Sequence, residues 1–581
     1  MQPIVRSFVF GLPYAVLLVF LFALSACGGG GGGNNNQFNS VSQNSVSSLG
    51  SSSSSVLSVS SIASSTTSSS SISSSSSQIF VNLSGNITYD FVPHNSNHVG
   101  LNYSAIEQRP VRGAAIEALD DTGKTLAASS TGEDGGYSFT LPQNTVVKIR
   151  VKAQLLKTGG TAWDFKVTDN TSNNALYVLD GNLGSVGFQN SKRNLNAGSG
   201  WDGTTYSAVR AAAPFAMLDN IYDAANRLLA AGNTKALRPL ELRWSTKNSA
   251  ADGDLTLGEI GTSFYDGFSI YILGDTDHDT DEYDAHVLLH EWGHYIERQL
   301  YRSDSIGGSH SDGDSLDIRV AMSEGFANSF SGMMLNDVNY ADAFGEAQKQ
   351  GFFFNIERKS LLNKGAFNER SVGSVLFNYY ASADNKIAND YTPIHTILSS
   401  DAYIKGESFA SIYLFAQRLG ELFSTQKNSF MGLLNGQEIF GTDEYARNES
   451  NSGGSVYVLP IYKELAPNNT SVNVCSSTEF GKNNKLGNAQ YLKLSISQAG
   501  VYNIRLNKSG GVDVATKPEF ILYFKGIPQF YLANTQPDLI AGNLNLAQGN
   551  YLLEVYDANN RDAKNTDSNT TCFDVRATAN L

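Results

Sequence analysis

The chain has 581 residues, more than one hydrophobic core can organise, so two to four domains are expected. Hydrophobic residues make up 41% and charged residues 17%, which excludes a wholly disordered chain. The formal net charge of −14 excludes nucleic acid as a partner held by bulk electrostatics, and by itself points to no substrate.

Arg6 precedes an apolar run from Phe8 to Leu24. The run is short for a spanning helix and ends in small residues, which favours a cleaved export signal over a membrane helix. Leu24-Ser25-Ala26-Cys27 resembles a bacterial lipobox. That resemblance implies cleavage before Cys27 and a diacylglycerol on its thiol, and Gly28 in the next position implies the outer membrane. Residues 1–27 are therefore expected to be a lipoprotein signal peptide, with the chain lipid-anchored in the bacterial cell envelope. Residues 28–78 are rich in Gly and Ser, with Val56, Leu57 and Ile62 isolated among them. Such a segment buries too little apolar area to offset its ordering entropy and is expected to be a flexible linker.

From 79 to 185 the pattern is β. Ala114 to Leu119 leads into the turn Asp120-Asp121-Thr122-Gly123, and Val147, Ile149 and Val151 alternate as one face of a half-buried strand. The series Arg109 to Gly113, Thr131, and Asp134-Gly135-Gly136-Tyr137-Ser138-Phe139 resembles the carboxypeptidase regulatory-like domain. That implies a small β-sandwich without catalytic residues.

Residues 205–467 carry the chemistry. Ala208 to Ala231 places Val209, Ala212, Phe215, Ala216, Ile221, Ala224 and Leu228 at helical spacing. The run Asp275, Asp277, Asp279, Asp281 offers oxygen ligands at alternate positions, a pattern suited to calcium. Val287 to Ile296 then reads as a helix containing His290-Glu291-Trp292-Gly293-His294. Positions i and i+4 share a helix face, so the two imidazoles aim at one point, as two zinc ligands would. Glu291, beside the first of them, is placed to act on a water as general base. Gly293 weakens the helix interior and implies close packing there. Val320 to Phe330 reads as a second helix, on which Glu324 is the acidic residue and Asn328 shares its face. This H-E-x-x-H followed by Glu on the next helix resembles the gluzincin, thermolysin-like metallopeptidases. The resemblance implies a zincin-like α+β fold, zinc on His290, His294 and Glu324, Glu291 as catalytic base, and Asn328 orienting a ligand histidine where that class usually has Asp. It also implies a Tyr or His that binds the oxyanion; the candidates are Tyr379, Tyr380, Tyr391, His395 and His310. Phe264 to Leu273 stands where that class has the edge strand along which an extended peptide pairs.

Residues 470–581 return to alternating strands: Tyr491 to Ile496, Val501 to Leu506 and Tyr551 to Tyr556. Ala499-Gly500-Val501-Tyr502 and Gln548 to Val555 resemble the pre-peptidase C-terminal domain of secreted bacterial proteases. If Cys27 is lipidated, Cys475 and Cys572 remain, and an even pair outside the cytoplasm reads as a disulfide; the alternative is two separate buried thiols.

The expected architecture is thus multidomain: an α+β zincin-like catalytic domain flanked by two β-sandwiches. The expected activity is extracytoplasmic, zinc-dependent endopeptidase action on protein or peptide substrates. Two alternatives stand beside it: a catalytically inactive surface binding or adhesion protein, which Asn328 favours, and a zinc exopeptidase.

Overall fold

The computed structural model describes residues 78–358, 363–381, 390–511, 516–533, 538–564 and 569–580. The expected signal peptide, Cys27 and the expected linker up to residue 77 lie outside the described residues.

The first sheet is built on the strand Phe80–Phe91, whose Val81, Leu83, Ile87 and Tyr89 alternate inward. It pairs antiparallel with Gly136–Pro142 and Glu107–Pro110 and parallel with Ser191–Lys192 and Leu195–Ala197. A second, ten-stranded sheet runs from Thr125–Ser130 through Ala114–Leu119, Val146–Lys157, Trp163–Asp169, Leu240–Trp244 and Ile270–Ile272 to the edge strand Phe264–Tyr265. Trp163–Asp169 and Leu240–Trp244 are parallel, with Val167 opposite Leu242. Hydrogen-bonded pairing therefore crosses the boundary expected between 185 and 205, and the 79–185 segment is not a free-standing sandwich. Trp163, Phe165 and Val167 are buried, and a strand inside the core needs partners for its backbone groups as well as its side chains. Tyr89 and Arg112 fix the same junction by hydrogen bonds of 2.8 and 2.6 Å to Asp219.

Four helices concern the site: α1 (Ala213–Ala230), α2 (Ala285–Leu300), α3 (Ile318–Leu335) and α4 (Glu369–Ala381). Helix α3 is buried on every side except at its last residue, as an interior helix must be. Its first turn is capped by Asp317, which accepts the Arg319 N–H, and it stops at Asn336 in the left-handed region (φ 55°). Glycines set how closely the helices cross. A Cβ on Gly293 would stand 3.3 Å from Ala327 Cα and 3.1 Å from the Phe330 ring, so α2 lies almost backbone-to-backbone on α3. A Cβ on Gly325 would stand 2.7 Å from the Glu369 carbonyl oxygen, which puts α4 equally close on the other side.

The C-terminal part is two sheets packed face to face. One holds Tyr462–Leu465, Ala489–Ile496, Gly549–Asp557, Pro518–Phe524 and Ile527–Ala533; the other holds Val472–Ser477, Thr570–Asn580, Gly500–Gly511 and Asp538–Leu546. Leu492, Leu494, Ile504, Phe520, Leu553 and Val575 fill the space between them. Cys475 and Cys572 are direct cross-strand partners joined by a disulfide, as the cysteine count implied. The unit begins earlier than 470, because Tyr462–Leu465 pairs parallel with Ala489–Ile496. Its outer face shares the core of the helical unit through Tyr462, Tyr491, Leu552 and Tyr556.

Candidate metal centre

Helix periodicity on α2 and the close crossing of α3 bring three ligand atoms together. His290 Nε2 lies 3.1 Å from His294 Nε2, and Glu324 Oε2 lies 3.2 and 3.3 Å from them. Tetrahedral zinc bound at about 2.0–2.1 Å places its ligand atoms about 3.3–3.4 Å apart, so this donor set fits such a cation. Two imidazoles and one carboxylate are also the ligand chemistry of catalytic zinc. The three residues thus form a group able to hold a metal ion.

Supporting contacts orient each ligand. His290 Nδ1 donates to Asn328 Oδ1 at 2.9 Å, which leaves Nε2 bare toward the centre. Behind His294, Nδ1 lies 3.3 Å from Ser323 Oγ, and that hydroxyl donates to Glu297 Oε2 at 2.6 Å. Ser323 and Glu297 were not singled out from sequence, although one adjoins Glu324 and the other lies one helical turn beyond His294. Burial lowers His290, favouring its neutral form. Burial works against the charge on Glu324, yet the His310 and His294 imidazoles hold it well below the usual carboxylate range. Burial also opposes a charged His294, and Glu324 and Glu297 outweigh it.

Glu291 is buried beside the ligands, and its Oε2 accepts the Tyr265 N–H at 2.8 Å. The edge strand Phe264–Tyr265 therefore fixes the carboxylate through one oxygen, and Oε1 makes no hydrogen bond among the described residues. Burial pushes Glu291 up to about 8, with His294 opposing.

The oxyanion candidates separate clearly. His310 reaches the centre: its Nε2 lies 3.4 Å from Glu324 Oε2 and 3.3 Å from Glu369 Oε2. The other four are engaged elsewhere. Tyr379 donates to Gln426 at 2.5 Å and Tyr380 to the Met333 carbonyl at 3.3 Å. Tyr391 and His395 both contact the Tyr301 hydroxyl, at 3.0 and 2.8 Å. Tyr301 itself lines the cleft, whereas Tyr391 and His395 are not among the residues that line it.

The aspartate run also divides. Asp279 and Asp281 converge with Asp342, from the strand Asn339–Phe344, into another group able to hold a metal ion. Asp275 and Asp277 do not join it: Asp275 Oδ2 binds His278 Nδ1 at 2.7 Å, and Asp277 is exposed. The hairpin Gly274–Asp275 with Asp279–Thr280 turns these two outward and carries the later pair inward. Asp342 is 2% exposed, and its Oδ1 has no hydrogen-bond partner among the described residues. Burial raises Asp279, Asp281 and Asp342 well above the carboxylate range, and repulsion from neighbouring carboxylates, Asp284 among them, adds to it.

A cleft of about 1120 Å³ opens over Glu291, His294 and Glu324. Tyr265 to Gly267 lie along it, and it is also lined by the loop Arg302 to Gly308 and by Phe524 to Ile527 of the C-terminal unit.

No protein-family model matches this sequence, and no curated protein matches it. Among solved structures, the pre-peptidase C-terminal domain of collagenase from Bacillus anthracis is similar over 20% of this chain and 94% of its own, at 14% identity and a TM-score of 0.15. The Aeromonas hydrophila protein PliG, a periplasmic lysozyme inhibitor of g-type lysozyme, is similar over 20% of this chain and 97% of its own, at 8% identity and a TM-score of 0.14. Both likenesses are weak.

Proposed function

We propose that this chain is a zinc-dependent endopeptidase of the gluzincin type, held at the outside of a bacterial cell envelope by a lipid on Cys27. The observation that carries the reading is the convergence of His290, His294 and Glu324, with the buried carboxyl of Glu291 alongside, beneath a cleft of about 1120 Å³. Zinc held there would polarise a peptide carbonyl and acidify a water. The protein's own residues supply the rest. Glu291, steadied by the Tyr265 N–H, takes a proton from the attacking water through its other oxygen and returns it to the departing amine. His310, beside Glu324, is the remaining candidate for the group that steadies developing negative charge. Calcium is proposed as a second ion, at Asp279, Asp281 and Asp342.

The test pairs metal content with turnover. Purified full chain is expected to hold about one zinc at the histidine site and to cleave casein. Glu291→Gln should keep the zinc and lose about 10²–10⁴-fold in kcat. Cleavage that survives this substitution, or exhaustive chelation, would overturn the reading.

A further inference from the structure

The C-terminal sandwich reaches the cleft through one hairpin. Its strands Pro518–Phe524 and Ile527–Ala533 are joined by Lys525 and Gly526, both at positive φ (51° and 73°), the conformation of a tight two-residue turn. This tip is seated, not free. A Cβ on Gly526 would stand 2.3 Å from the Arg302 guanidinium carbon, so only glycine lets the turn lie on that group. Arg302 is itself locked by Asp304 and by the carbonyls of Gly406 and Ser408. The whole sandwich is anchored by buried charge: Arg319 of α3 donates to Glu554 at 2.7 Å, and Tyr523, on the same hairpin as Lys525, donates to Glu554 at 2.7 Å. The tip is therefore a fixed part of the cleft.

The charges along the cleft are uneven in their freedom. Three carboxylates that line it are satisfied within the protein: Asp266 accepts the Phe268 and Ser269 N–H groups, Asp304 binds Arg302, and the buried Glu297 accepts from Ser323. Two cations that line it, Arg298 on α2 and Lys525 on the hairpin tip, are exposed and make no ion pair among the described residues. Arg298 lies over Gly267, next to the edge strand, and Lys525 belongs to the C-terminal wall.

We propose that the C-terminal sandwich completes the substrate site, and that Lys525 on its hairpin tip acts with Arg298 to select polypeptides bearing carboxylate side chains beside the bond that is cut. This rests on the peptidase reading for the word substrate, but the charge selection is testable without turnover. The full chain carrying Glu291→Gln and loaded with zinc is titrated with three fluorescent peptides of equal length, flanked by Glu, Gln or Lys. The Glu peptide should bind about tenfold more tightly than the Lys peptide at low salt, and the gap should shrink at high salt. Adding Lys525→Glu should cut that ratio about threefold, as should Arg298→Glu, whereas Lys525→Arg should keep it. Melting curves of the variants separate lost selection from lost folding. Equal binding of the Glu and Lys peptides, or a ratio that Lys525→Glu leaves unchanged, overturns the proposal. If wild type cleaves none of the peptides while the ratio behaves as expected, the peptidase reading fails and the charge-selective cleft stands.

Discussion

Glu291 is 3% exposed and receives one backbone N–H, so burial holds its carboxyl protonated up to about 8 in the metal-free protein, against the pull of His294. Glu369, buried behind His310, is pushed up to about 7 in the same way. The linkage sign follows from the direction of these shifts. A group whose folded value is raised contributes stability that is complete below its unfolded value, near 4.5, and is lost as pH rises through the folded value. The melting temperature of metal-stripped protein should therefore fall between about pH 5 and 8, and Glu291→Gln should flatten part of that fall. Scanning calorimetry across this range checks it; parallel curves for the two proteins would show that Glu291 titrates as an ordinary exposed carboxyl. At this scale the sequence was partly legible. Asn328 was readable as a group that orients a histidine because it shares a helix face with Glu324. Ser323 was not, because its contact with His294 depends on how two helices cross, whereas Glu297 stands one turn beyond His294 on the same helix.

Elements decide which of several plausible residues converge. Helices α2 and α3 were readable in the sequence, and Gly293 stood out by its poor fit to a helix interior; its reason is that a Cβ there would stand 3.3 Å from Ala327 Cα. The aspartate run shows where local reading stops. Alternation along residues 275–281 suggested four equivalent ligands, but the hairpin sends Asp275 outward, leaves Asp277 exposed, and delivers Asp279 and Asp281 to Asp342 on a strand more than fifty residues on. Three buried carboxylates repel one another unless protonated or bridged by a cation. Calcium in hundredfold excess over its Kd should thus stabilise the chain by about 2.7 kcal/mol, and Asp342→Asn should abolish that response while making the cation-free protein more stable. Thermal melts with calcium and with a chelator distinguish the cases. A wild-type melt indifferent to calcium would count against the site.

At the scale of the whole molecule, the β units are parts of one body with the helices. Glu554 is fully buried between Arg319 and Arg561, and the Phe409 ring packs at 5.0 Å against both Tyr491 and Tyr523 across the same interface. Glu554→Ala leaves two guanidinium groups buried without their shared partner and should cost about 3–5 kcal/mol, read from urea unfolding of the full chain. A loss below 1 kcal/mol would mean that the C-terminal sandwich is only loosely attached. The sequence by itself determined the features that depend on near neighbours: the shared face of His290 and His294, the alternating strands, the two cysteines left to pair, and the apolar run that precedes Cys27. Helix and strand periods repeat over a few residues, so these patterns survive without coordinates. Only the tertiary structure decided the rest. Glu324 meets the histidines because Gly293 lets α3 approach α2; Trp163–Asp169 joins Leu240–Trp244 because a strand inside the core needs partners for its backbone groups; and Lys525 enters the cleft because a hairpin from the far end of the chain seats on Arg302. Each of these is a contact between distant segments, set by packing and charge satisfaction across the fold, and no local pattern of residues encodes it.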